Sequence, residues 1–486
     1  MFFLTQWARR RPTSRVAVAA AGALALGLAG YANTGAGAAV SAINGVQPPG
    51  AVSPKPAAGT PALIPNTGKK DLNRIAQMVQ CGNTMFAAGT FSEIAQGGTD
   101  FSRSNIFSFK ASAPYTITKW APVVNGTVNS ITVNPANCAD VYIGGDFTSV
   151  NGTAVKDIAE VDTTTGNVVS AFGHSTAGGE VQTLAYAGGH ILVGGYFQWM
   201  NGSDKNPFMA SVSPTTGKDD GFLHLSISGH YHYCNKKGKC TTSTNSSVQK
   251  QEISHNGDYD LVEGNFTSVG GMQREQIFML DLTTSPATVT PWTSPEWDGS
   301  SSSYPYQCIP AEAWYIRSAA WSLDDKTVYI ADTGDQPNNG AGKGPRTGLC
   351  DAAAAFPATL GPVNHEWVEY TGCDSYYSVA ADTSAVYVAG HPRWAENPNG
   401  CDAQGAGAVA DPGLQGLNLS GGLLLRTSGK PVYTMSRANA DNMLITNSGG
   451  ANGHGGLWIG STNRFGAQSC GQVSGHSGIC FLPYSS

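Results

Sequence analysis

The chain is 486 residues long, with a formal charge of −6, ten cysteines and only 13% charged residues. Soluble domains usually carry roughly a quarter, and no basic stripe occurs, which excludes nucleic acid as a partner. Beyond the leader no apolar run approaches the roughly 20 residues needed to span a bilayer, so no membrane insertion is expected once the leader is removed.

The leader comes first. Arg9, Arg10, Arg11 and Arg15 precede an apolar run from Val16 to Leu28, and Ala32 and Ala38 offer small residues for cleavage. Residues 1–38 read as an export signal cleaved near 32 or 38, which takes the formal charge from −6 to −10. Consecutive arginines suggest twin-arginine export, but Pro12 and Thr13 stand where that motif favours apolar residues, so the export route stays open. Residues 39–70, rich in Ala, Pro, Gly and Thr, read as an extended tether. Residues 71–486 read as one folded domain.

That domain repeats itself. Short runs of β-branched or aromatic residues ending in a small-residue turn occur as MFAAGTF (85–91), VYIGGDF (141–147), ILVGGYF (191–197), DLVEGNF (260–266), VYIADTG (328–334), VYVAGHP (386–392) and LWIGSTN (457–463). Their starts lie 56, 50, 69, 68, 58 and 71 residues apart. The second copy has four strands: VNSITVN, VYIGGDF, DIAEVD and NVVSAF, separated by Gly- and Asn-punctuated turns. Repetition at this period predicts an all-β, seven-bladed β-propeller of four-stranded antiparallel blades. The last repeat stops after a third strand, ICFLPY (479–484), so ALIPNT (62–67) is expected to supply the closing fourth.

In GG-x-F the glycines suit a close backbone approach or a bulge, and Phe91, Phe147, Phe197 and Phe266 should fill the wedge between blades. Gly144–Gly145–Phe147–Asn151–Gly152 and Gly194–Gly195–Phe197–Asn201–Gly202 resemble the kelch-like and delta-60-type repeats of secreted bacterial β-propellers. Gly264–Phe266–Gly270–Gly271 is nearly as similar, whereas Asp332, His391 and Asn463 depart from the pattern. The resemblance implies a propeller and no particular activity.

Ten cysteines in an exported chain read as disulfides. Cys234–Cys240 and Cys470–Cys480 enclose short loops, and Cys81 and Cys138 occupy matching turns of neighbouring repeats. Cys308, Cys350, Cys373 and Cys401 allow three pairings, of which 308 with 350 and 373 with 401 is favoured.

Loop length is the main functional signal. Long segments fall after the second strand or between repeats, and in an up-and-down blade both connections emerge on one face. The aromatic and basic residues of that crown, Trp199, Tyr231, Tyr233, Trp297, Tyr304, Tyr306, Arg393 and Trp394, are candidate ligand contacts. Trp314 belongs to the same set. His230 and His232, two apart on an extended segment, could share a metal. Asp324, Asp325, Asp332 and Asp335 are candidates for structural calcium, and no other cofactor is expected. Glu296, Asp298, Glu312, Glu366 and Glu396 could serve a glycan hydrolase or lyase. The Ser-x-Asp-x-Gly-x-x-Trp box of sialidase-type propellers and a G-x-S-x-G elbow are absent, so no catalytic residue is assigned. The expectation is a secreted, extracellular or cell-wall-associated binder of a glycan or a protein, with a glycan hydrolase or lyase or a secreted-assembly subunit as alternatives.

Overall fold

A computed structural model describes residues 50–64, 73–173, 179–200, 206–230, 246–297, 308, 315–334, 348–433, 440–447, 455–462 and 477–484, and the backbone at 176–177, 233–234 and 240–241. These residues are nearly all strand and turn, and a single 3-10 turn, Pro295–Trp297, is the one helical element among them. The architecture is that of a β-propeller, built from small antiparallel meanders packed face to face.

Seven such sheets follow one another along the described chain. Sheet 1 holds Arg74–Cys81, Thr84–Thr90 and Ile106–Lys110, and sheet 2 holds Thr127–Val133, Asp140–Asp146 and Ile158–Asp162. Sheet 3 holds Val181–Ala187, His190–Gly195 and Met209–Val212. Sheet 4 has Ser247–Ile253, Tyr259–Asn265, Ile277–Asp281 and Thr288–Val289, and sheet 5 has Ile316–Trp321, Thr327–Asp332, Ala352–Pro357 and Trp367–Tyr370. Sheet 6 holds Tyr376–Ala381, Val386–Gly390 and Leu414–Leu417, and sheet 7 holds Ala440–Thr446, Gly456–Ser461 and Ile479–Pro483. In sheets 1, 2, 3 and 6 one further bridge, such as Val161 to Val168 or Leu417 to Leu424, lays another segment beside the third strand.

The hydrophobic residues form seven clusters, each shared by two successive sheets. One of them joins Trp458, Ile479 and Phe481 of sheet 7 to Ile75, Met78 and Phe107 of sheet 1. The first strands touch in the same cyclic order, 440–446 lying against 74–81. Phe91, Phe147, Phe197 and Phe266 are all buried at 4% exposure or less, each in a cluster between sheets, as expected of wedge residues.

The paired glycines have separate jobs. A Cβ on Gly144 or Gly194 would stand 2.4 Å from Val181 or Val248 of the next sheet. On Gly145 or Gly195 it would stand 2.0 or 2.2 Å from the carbonyl oxygen of Thr127 or Glu180. Opposite this position every first strand bulges, and in sheets 1, 2, 3, 4 and 6, where glycine holds it, the backbone comes too close for a side chain. In sheet 5 Asp332 takes this place, buried, its carboxylate accepting the Ala352 amide at 2.7 Å.

Residues 52–57, rather than Ala62–Leu63, run along the last strand. Val52 bridges Tyr484, Ser53 donates to the Pro483 carbonyl and Ala57 to that of Phe481. Tyr387 Oη accepts the Val52 amide at 2.9 Å and donates to Asp382, which also accepts Tyr484 Oη at 3.0 Å. Ala62–Leu63 instead pairs with Ile94 and Ala95, and residues 65–67 lie outside the described residues. The tether expectation is corrected over 50–64, because Val52 and Leu63, both 2% exposed, give this Pro- and Ala-rich stretch enough apolar surface to pack.

Candidate functional site

The strand register fixes which connections share a face. In all seven sheets the start of the first strand pairs with the end of the second. Segments arriving from the preceding sheet then pair with the segment that follows the second strand. Ala62–Leu63 meets Ile94–Ala95, Val124 meets Val150, Thr176–Ala177 meets Trp199–Met200, and Ile227–Ser228 meets Ser268–Val269. Both classes of connection therefore emerge at one end, as the chain's loop pattern predicts. The opposite end carries short turns such as Gly82–Asn83 and Gly188–Gly189.

On the connection-rich end, sheets 5, 6 and 7 assemble a charged and aromatic mouth. The Arg317 guanidinium lies over the Tyr377 ring, 4.7 Å from its centroid, and 5.4 Å from that of Tyr315. Arg317 also donates to Tyr315 Oη at 3.2 Å and stands 3.9 Å from Asp441. Tyr377 Oη is 2.6 Å from His391 Nε2, and the other ring nitrogen of His391 is 4.0 Å from Asp374. Asp374 is buried and accepts Arg393 Nε at 2.7 Å, while Arg393 reaches Asp402 at 2.6 Å and covers the Trp394 ring at 4.4 Å. The Cys373–Cys401 disulfide closes the loops that carry Asp374 and Asp402. Such a constellation presents fixed donors and acceptors on a rigid base, which is how a surface gains specificity. Just ahead of the first strand of sheet 3, Glu180 has its pKa raised by burial and by the nearby charge of Asp146.

Behind the mouth, the first strands line a channel of about 270 Å³. The residue after each bulge is Gln77, Ser130, Thr183, Lys250, Ser318, Ser378 or Asn442 in sheets 1 to 7. Four of these reach into the next sheet to hold an amide that the bulge leaves free. Gln77 Oε1 accepts from Ile131 at 2.9 Å, Ser130 Oγ from Leu184 at 2.8 Å, Ser318 Oγ from Val379 at 3.4 Å and Asn442 Oδ1 from Met78 at 3.1 Å. Lys250 breaks the belt, since an ammonium has no lone pair to offer. It crosses the channel instead and donates to the Asp441 carbonyl at 2.9 Å.

The structure brings Arg393 and Trp394 together in the mouth, and places Trp199 at 36% exposure on the same face. Trp297 is corrected: at 1% exposure it packs against Trp292 and Phe356 and offers no ring to a ligand. Glu296 is likewise buried, holding the amide and Nδ1 of His365 at 2.9 and 2.6 Å, and this pairing raises the His365 pKa. Glu396 pairs with Arg426, and the Glu366 amide donates to the Ala355 carbonyl. Asp325 is taken up by the His255 backbone and ring, and Asp324 by Ser322 and Lys326.

His230 is half-buried, and no group of three metal-ligating side chains occurs among the described residues. Tyr231, His232, Asp298, Tyr304, Tyr306, Glu312, Trp314, Asp335 and Cys470 lie outside the described residues, as do the side chains of Tyr233, Cys234 and Cys240. The Cys81–Cys138, Cys308–Cys350 and Cys373–Cys401 disulfides form as favoured, and backbone pairing sets Cys234 opposite Cys240. Tyr315, Arg317, Tyr377, His391 and Lys250 were missed. Repeats aligned on their first strands, rather than on the louder second strands, would have marked Lys250 as the one charged residue in its column.

No known family's sequence profile matches the chain, and no curated protein matches it by sequence. Among solved structures it is similar to the Cps50 (Swd1) β-propeller domain of Myceliophteria thermophila, at 10% identity and a TM-score of 0.35, over 65% of this chain and 80% of that one. It is similar to U3-55K at 9% identity and a TM-score of 0.42, over 88% of this chain and 100% of that one. Against the RRP9 WD40 repeats the identity is 9% and the TM-score 0.44, over 88% and 99% of the two chains.

Proposed function

We propose that the protein is an exported, seven-bladed β-propeller that binds a protein partner outside the cell through its connection-rich face. Each blade has four strands in this reading, and residues 52–57 complete the last. The cyclic order of sheet contacts supports the closed ring, and the disulfides support an oxidising compartment. No helix among the described residues is long and apolar enough to cross a membrane.

The observation that carries the reading is the shared face. Pairing between incoming connectors and the segments after the second strands gathers the long loops beside the Arg317–Tyr377–His391–Arg393 mouth. Both guanidinium groups already cover the aromatic faces there, which leaves hydrogen-bonding edges rather than stacking platforms for sugars. Arg and aromatic anchors of this kind favour a protein surface. The Asp374–His391–Tyr377 relay favours the enzyme as a second reading, with Tyr377 Oη as the group that would exchange a proton.

The test uses purified mature protein with cell walls, insoluble polysaccharides and crosslinked culture-supernatant proteins. The proposal expects crosslinks from the connection-rich face to a secreted protein, and no release of sugar. Depletion on polysaccharide alone would make it a glycan binder, and released sugar would make it an enzyme.

A further inference from the structure

The break that Lys250 makes in the polar belt leaves two charges that feel each other's field but do not close a contact. Lys250 and Glu263 are directly opposite in the ladder between the first two strands of sheet 4, yet no ion pair forms between them. The Lys250 ammonium extends across to sheet 7. Glu263, 1% exposed, points toward the Ala319 amide without either oxygen closing a hydrogen bond of normal geometry. Further groups on the channel wall are left open in the same way, among them Asp441 Oδ2, Gln251 Oε1 and Arg317 Nε. Buried polar groups in folded proteins are almost always satisfied, and an unpaired buried charge costs several kcal/mol. All five of these side chains line the one channel of about 270 Å³, and Lys250 keeps partial exposure to it. That space holds several waters or one small solute.

The wall carries both signs interleaved, with Lys250 opposite Glu263, Arg317 3.9 Å from Asp441, and Arg74 and Glu252 also lining it. Lys250 and Arg317 supply donors, and Glu263 and Asp441 supply acceptors. A lone anion would face the two carboxylates and a lone cation the two bases. A molecule carrying both charges satisfies the four together. We propose that the channel between sheets 4, 5 and 7 binds a small zwitterion of the amino-acid type, its carboxylate held by Lys250 and Arg317 and its ammonium by Glu263 and Asp441. Burial supports the assignment, because it lowers the Lys250 pKa and pushes that of Glu263 up to about 7, so that a charged guest restores both ionised forms. This site shares Arg317 and Asp441 with the mouth, whereas Lys250 and Glu263 belong to the channel alone, so the variants at those two positions test it apart from what the mouth binds.

The test is calorimetric titration of the disulfide-intact chain with the common L-amino acids, alongside propionate and ethylammonium as single-charge probes. At least one amino acid should bind saturably, with either single-charge probe weaker by about tenfold or more, equivalent to ~1.4 kcal/mol. Lys250→Gln restores to sheet 4 the residue type that Gln77 provides in sheet 1, so it should fold with a native melting curve and lose the amino acid by about tenfold or more. Glu263→Gln, which removes the opposite charge, should lose it as well. Equal binding of the single-charge probes, binding unchanged in both variants, or no response to any amino acid would overturn the proposal.

Discussion

At the scale of single residues, backbone contact decides more than side-chain chemistry. Gly145 faces the Thr127 carbonyl, where an added Cβ would stand at 2.0 Å, whereas Gly152 faces open space but has a φ of +76°. Gly145→Ala should therefore cost about 1–3 kcal/mol through overpacking, and Gly152→Ala about 1–2 kcal/mol through left-handed strain alone. Thermal melts of the pair check the order. Tyr387 makes a different kind of contact: its hydroxyl, wholly buried, both donates to Asp382 and accepts the Val52 amide. Tyr387→Phe leaves both partners wanting and should destabilise by about 1–3 kcal/mol, measured by denaturant unfolding.

At the scale of elements, the second strands and their glycines were legible because each repeat must meet the same close approach, so the same small residues recur. That an N-terminal segment lies along the last strand follows from residues 52–57, which are not the residues expected there. Residues 62–67 look more strand-like than 52–57, yet Tyr387 and Tyr433, distant in sequence, hold Val52 by its amide and carbonyl. Hydrogen bonds to a backbone leave no trace in the segment that receives them. The mouth was half legible for the same reason: Arg393 and Trp394 sit in a long loop, while Arg317 and Tyr377 lie at the starts of ordinary strands and gain meaning only across sheets 5, 6 and 7. Deleting residues 50–57 should bare the edge of the strand Ile479–Pro483, lower the melting temperature by on the order of 10 °C and promote aggregation. An unchanged melt after this deletion would remove the closing role.

At the scale of the whole molecule, buried acids set the response to pH. Burial pushes Glu160 and Glu263 up to about 7, and Glu252 and Asp411 up to about 8. These carboxyls ordinarily titrate near 4, so between roughly pH 4.5 and 8 the folded chain holds more protons than the unfolded one and stability falls as pH rises. Denaturant midpoints should drop steadily across that window, and Glu252→Gln should flatten the slope. The proposed binding face rests on the difference between the two ends of the propeller, one crowded with connections and one bare. It is tested most directly by comparing the crosslinked partner bound by the native chain, by Arg393→Ala with Tyr377→Phe on the crowded end, and by Leu360→Ser with Leu423→Ser, whose leucines are 51% and 59% exposed on the turns after third strands. Loss of the partner from the first double variant and retention by the second is the predicted result; the reverse pattern, or equal retention by both, contradicts the account.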